Sequence, residues 1–89
     1  MSVSLDDIHE ESFIAQDVGD FVVIRHITEI GPPITPTQRK GRGDDLCRYE
    51  AYELPGGQWY SSGSCAARRM ASWADRLATP GEIKRLKLV

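Results

Sequence analysis

Long apolar runs are absent from this sequence. The longest, Phe21-Val22-Val23-Ile24, is far short of the ~20 residues that a membrane-spanning helix needs. The opening residues, MSVSLDDIHEES, are acidic and lack the apolar stretch that a secretory leader uses. A cytoplasmic protein with no membrane contact is expected. Cysteine is scarce, with two residues. In a reducing compartment, Cys47 and Cys65 are expected as buried thiols rather than a disulfide. The four potential zinc ligands, His9, His26, Cys47 and Cys65, are scattered, whereas structural zinc sites pair ligands a few residues apart. No metal and no cofactor is expected.

Catalytic signatures are missing as well. There is no GxxxxGK[ST], no GxGxxG after a strand, no HExxH and no GxSxG. Gly41-Arg42-Gly43 lacks the Ser or Thr and the following helix that a phosphate loop requires, and Arg42-Gly43-Asp44 has no adhesive meaning inside a cell. Cys65, at an expected helix start, carries the one hint of reactivity, because helix N-termini lower thiol pKa values. His26, within a strand, reads as a satisfied, partly buried residue, and His9 as a solvated helix residue. The chain is read as non-enzymatic.

What is present is an ordinary globular composition, 40 % apolar and 27 % charged over 89 residues, which suits one small domain spanning 1–89. Ser4 is positioned to cap a short helix over about 5–11, with acids in its first turn. SFIAQ and FVVIRHITEI flank DVGD, whose Gly19 accepts a tight turn, so a hairpin is predicted. Gly31-Pro32-Pro33 stops the second strand. Residues 31–45 form a long basic connection rich in Pro and Gly. LCRYEAYEL, 46–54, puts Cys47, Tyr49 and Ala51 on one face, and QWYSS returns antiparallel after Pro55-Gly56-Gly57. A main helix is predicted over 64–78, capped by Ser64, with Ala66, Met70, Trp73 and Leu77 on one stripe. TPGE, 79–82, is a capping box that opens a short final helix, unless the alternating tail adds an edge strand. The expected fold class is α+β: a small antiparallel sheet of three to four strands packed by one main helix, with short N-terminal and C-terminal helices.

Charge is divided unevenly. Residues 1–30 carry seven acids against one base, and residues 31–89 carry ten bases against six acids. Arg39, Lys40 and Arg42 in the long connection could meet phosphates, as could Arg68, Arg69 and Arg76 as a stripe on the main helix, with Lys84, Arg85 and Lys87 behind them. In element order the chain resembles double-stranded RNA-binding domains, but it has Cys65-Ala66 where that family has a lysine pair. The excess of acid in the first segment and a pI of about 5.6 argue against that use.

The other reading is a protein-binding module. Asp6, Asp7, Glu10 and Glu11 could offer spaced carboxylates to a basic groove in imitation of a nucleic-acid backbone. Tyr52 and Tyr60 are interface candidates, since interfaces favour tyrosine, while Trp59 and Trp73 are expected as core anchors. In size, compact plan, mixed charge and lack of a catalytic motif, the chain resembles the small anti-CRISPR inhibitors of phages and mobile elements. That resemblance implies a stoichiometric inhibitor that blocks a nucleic-acid-handling complex by surface contact. Its acidic N-terminal face or its basic connection would meet the target.

Overall fold

The computed structural model describes residues 3–33 and 41–88. Five strands and two helices follow one another: β1 (Phe13–Val18), β2 (Phe21–Gly31), β3 (Leu46–Leu54), β4 (Gln58–Ala66), α1 (Ala67–Trp73), β5 (Arg76–Leu77) and α2 (Pro80–Arg85). Single 3-10 turns stand at Leu5–Asp7 and Arg42–Asp44. The strands form one antiparallel sheet in the order β4-β3-β2-β1-β5. The fold class is α+β, with one strand more than the sequence suggests.

The first hairpin forms where the alternation and the turn glycine place it. Val18 pairs with Phe21 across Gly19, whose φ is 62°. The predicted helix over 5–11 shrinks to the turn Leu5–Asp7, although Ser4 and Asp7 do form a capping box there. Thr79 and Glu82 form the second box, with Pro80 in the first turn of α2. The tail beyond α2 adds no strand among the described residues.

The main helix departs most from expectation. β4 continues through Cys65 and Ala66, so Ser64 is a strand residue and α1 starts at Ala67 without a side-chain cap. Instead, the Ala67 N–H donates to the carbonyl of Asp45 at 2.8 Å. The helix stops at Trp73 because the free edge of β1 offers the chain better partners. Asp75 N–H donates to Ala15 O at 2.8 Å, Ala78 N–H donates to Phe13 O at 3.0 Å, and Arg76–Leu77 pair with β1 as β5. An edge ladder satisfies backbone groups that one more helical turn would have satisfied, and it wins because it also joins α1 to the sheet.

Both faces of the sheet are covered. Neighbouring residues of a strand point to opposite faces, and Ile14 and Ala15 belong to different buried clusters. On one face, Ile8, Ile14, Ile27 and Cys47 pack with Ala67, Met70, Ala71 and Ala74 of α1 and its exit. On the other, Ala15, Ile24, Tyr52 and Leu54 pack with Leu86, just past α2. The second face exists because the C-terminal segment returns across the β3–β4 turn, where Lys87 N–H donates to Gly57 O at 2.8 Å.

Candidate functional site

Most of the charged residues singled out in the sequence are engaged within the chain. Arg39 and Lys40 lie outside the described residues. Arg42 is no free cationic tip. Its Nη1 donates to Leu5 O at 2.6 Å, its Nη2 donates to Ile8 O, and Asp6 stands 3.8 Å away. The guanidinium thus satisfies carbonyls of the short N-terminal turn, which cannot all bond internally.

The four acids do not make one open row. Asp7 accepts from Ser4 N–H at 3.2 Å, Glu10 accepts from Ile30 N–H at 3.4 Å, and Glu11 meets His26 Nε2 at 3.0 Å. Asp6 is exposed, with a side chain 97 % accessible, and so are Glu10 and Glu11. His26 also stacks on Phe13, ring centroids 4.2 Å apart. His9 is exposed but belongs to no helix.

The arginine stripe also dissolves. Arg68 pairs with Asp44, and Arg69 is exposed. Arg76 sits on β5 rather than on the helix, where it grips Glu82 at 2.6 and 2.8 Å and Asp17 at 2.9 and 3.1 Å. These bidentate bonds hold the Glu82 carboxyl down at about 2, with help from Thr79, and push the Arg76 guanidinium still higher. Any outside phosphate would compete with these carboxylates for Arg68 and Arg76.

The thiols are structural in character. Cys47 and Cys65 face each other across β3 and β4. Burial, then the neighbouring Cys65 and Asp45, pushes the Cys47 thiol up to about 11, and burial also raises Cys65. Cys65 lies inside β4, not at the helix start that would have activated it. Among the described residues, no group of three or more His, Cys, Asp or Glu is placed to hold a metal ion. No helix among them is long and apolar enough to cross a membrane.

The aromatic assignments exchange places. Tyr52 is 1 % exposed at the centre of the second cluster, so it is not available to a partner, whereas Trp59 is 44 % exposed and is not a core anchor. Ala51 and Tyr52 can both be buried in succession because both sheet faces are covered. Trp59 stands opposite Tyr52, and its indole N–H donates to Glu50 at 2.6 Å. Tyr60, 50 % exposed, is the extra residue of a bulge between the pairs Tyr52–Trp59 and Ala51–Ser61.

Among the described residues, Trp59 and Tyr60 mark the one long sheet edge. β4 is nine residues long and pairs only with β3 among the described residues, leaving its outer row of backbone donors and acceptors unpaired by any strand. From Leu54 to Ala67 no residue is charged. Natural edge strands are usually kept short or blunted with charge or proline. β4 has the bulge but neither charge nor proline. The neutral run was readable in the sequence, but that β4 would be the edge strand depended on the sheet order.

No protein-family profile, curated protein or solved structure matches the chain.

Proposed function

We propose that the chain is a small, non-enzymatic protein-interaction module that takes a strand of its partner along the outer edge of β4. In this reading it acts in the cytoplasm as a stoichiometric inhibitor of a nucleic-acid-handling complex, as do the small phage inhibitors it resembles. The observation that carries the reading is the uncharged, nine-residue edge with Trp59 and Tyr60 exposed at its start. Strand addition draws affinity from main-chain hydrogen bonds and specificity from the side chains beside them. Trp59 and Tyr60 supply those side chains, since large amphipathic rings dominate interface energetics. The bulge at Tyr60 breaks the ladder near its start and leaves Ser61–Ala66 as the longest regular stretch for a partner strand.

Duplex nucleic-acid binding gains no support from the geometry, because Arg68 and Arg76 are committed to Asp44, Asp17 and Glu82. The test is affinity capture from the native host with wild-type chain, with the double variant Trp59→Ala and Tyr60→Ala, and with Ser62→Lys. The captured complex is then assayed for nucleic-acid binding and cleavage against increasing amounts of chain. Capture that is lost in both variants, with inhibition complete near one chain per complex, supports the reading. Equal capture by all three chains removes β4 from the site. Intact activity in the bound complex removes the inhibitor role.

A further inference from the structure

One arginine of this chain is built into the interior side of the sheet without an acid among the described residues to meet it. Arg25 rises from β2 on the face covered by α1. Its guanidinium carbon lies over the Tyr49 ring at 4.2 Å and over the Trp73 ring at 3.9 Å. Stacking uses the flat faces of the group and leaves its N–H donors free in the plane. Among the described residues, Nη1 finds only the sulfur of Met70, at 3.7 Å, and Nε is buried with no acceptor. Arg42, Arg68 and Arg76 of the same chain each stand beside a carboxylate. A half-buried cation with unmatched donors is costly, and the rings answer only part of that cost.

The guanidinium lines an open cleft of about 470 Å³ together with Tyr49, Cys65, Arg69, Ser72 and Trp73. The lining has two cations and no acid. Burial keeps the Cys65 thiol raised even though Arg25 and Arg69 pull it down, so it adds no negative charge at neutral pH. Tyr49 is held in place by its own close approach. Its hydroxyl lies 2.8 Å from where a side-chain carbon on Gly63 would be, so glycine there leaves room for the ring that floors the cleft.

We propose that this cleft is a carboxylate-binding site, in which Arg25 offers in-plane donors to the anion while Arg69 and Ser72 close over it from α1. A carboxylate suits the site better than a phosphate. A planar anion with two oxygens matches the edge of one stacked guanidinium. The site lies on the α1 face and includes Cys65 of β4 in its lining.

The test is an NMR titration of the whole chain at constant ionic strength, following Arg25 Nε–H and the indole N–H groups of Trp73 and Trp59. The probes are sodium acetate, an N-acetylated glutamate amide and inorganic phosphate. Saturable shifts at Arg25 and Trp73 with Trp59 unmoved are expected for both carboxylates. Tighter binding of the blocked glutamate identifies an acidic side chain as the source of the ligand, and equal binding identifies a free organic acid. Arg69→Gln should weaken binding by about tenfold, the loss of one charge-assisted hydrogen bond, and Arg25→Lys should abolish saturation by removing the fork. Arg48→Gln removes the same charge from the opposite face and should change nothing. Linear shifts, equal weakening by Arg48→Gln, or tighter binding of phosphate would overturn the assignment.

Discussion

Arg76 and Glu82 face each other fork to fork, with Nη1 2.6 Å from Oε1 and Nη2 2.8 Å from Oε2. The pair ties β5 to the first turn of α2, and Asp17 adds β1 to the same guanidinium. Through this triad the C-terminal segment is fixed to the sheet edge opposite β4.

The triad sets an acid limit on stability. Glu82 has its carboxyl lowered from 4.5 to about 2 by Arg76 and Thr79. A depressed carboxyl contributes stability that is fully present above its unfolded value and is lost as pH falls through its folded value. Resistance to urea should therefore fall as pH drops from about 4.5 toward 2, a window set by the two ends of that shift. In Glu82→Gln, the fall across this window should be shallower and the stability at neutral pH lower. Parallel curves for wild type and variant would show that the pair carries no net stabilisation.

A second expectation concerns Gly57, which has φ 76° and stands where an added Cβ would lie 2.0 Å from the Arg85 carbonyl oxygen. Gly57→Ala should cost more than ~1 kcal/mol, because it combines a left-handed backbone with a clash against backbone. Gly56→Ala, where an added Cβ would meet nothing beyond its chain neighbours nearer than Gln58 Cγ at 3.9 Å, should stay within ~0.5 kcal/mol. Denaturant midpoints compare the two. Equal midpoints would mean that the C-terminal segment does not rest on the turn.

The exchange of Tyr52 and Trp59 can be checked directly. Tyr52→Ala should destabilise by roughly 3–5 kcal/mol, the range for a large aromatic removed from a core, while Trp59→Ala should cost ~1 kcal/mol or less. Thermal or urea unfolding followed by circular dichroism measures both. A larger loss for Trp59→Ala would restore it to the core.

The elements that could be read from sequence are those whose signals are local. DVGD, PGG and TPGE specify their turns and cap by residue type, and LCRYEAYEL alternates cleanly. Elements that depend on distant partners were misread. The stripe Ala66, Met70, Trp73 and Leu77 is good helix periodicity, yet Leu77 is 47 % exposed on β5 because the edge of β1 competes for that backbone. Tyr52 looked like a surface aromatic because nothing near it shows that Leu86 returns to cover it. Among the site residues, Tyr60 was legible as an exposed aromatic. The acidic and basic candidates were legible as charges but not as partners, since Arg42 with Asp6, Arg68 with Asp44 and Arg76 with Asp17 join segments far apart in the chain. Beside Ile24 and His26, Arg25 carries no local signal, and only the tertiary approach of Tyr49 and Trp73 isolates it.

The strand-docking claim is tested most directly by amide hydrogen exchange along β4, residue by residue, in the free chain and in its complex. In the free chain, the β4 amides that point away from β3 should exchange quickly while those bonded to β3 are slow. On binding, the fast set between Ser61 and Ala66 should become protected, and the slow set should change little. Protection gained only in the N-terminal segment or on α1, with the outward amides of β4 still exchanging freely, would contradict docking at this edge.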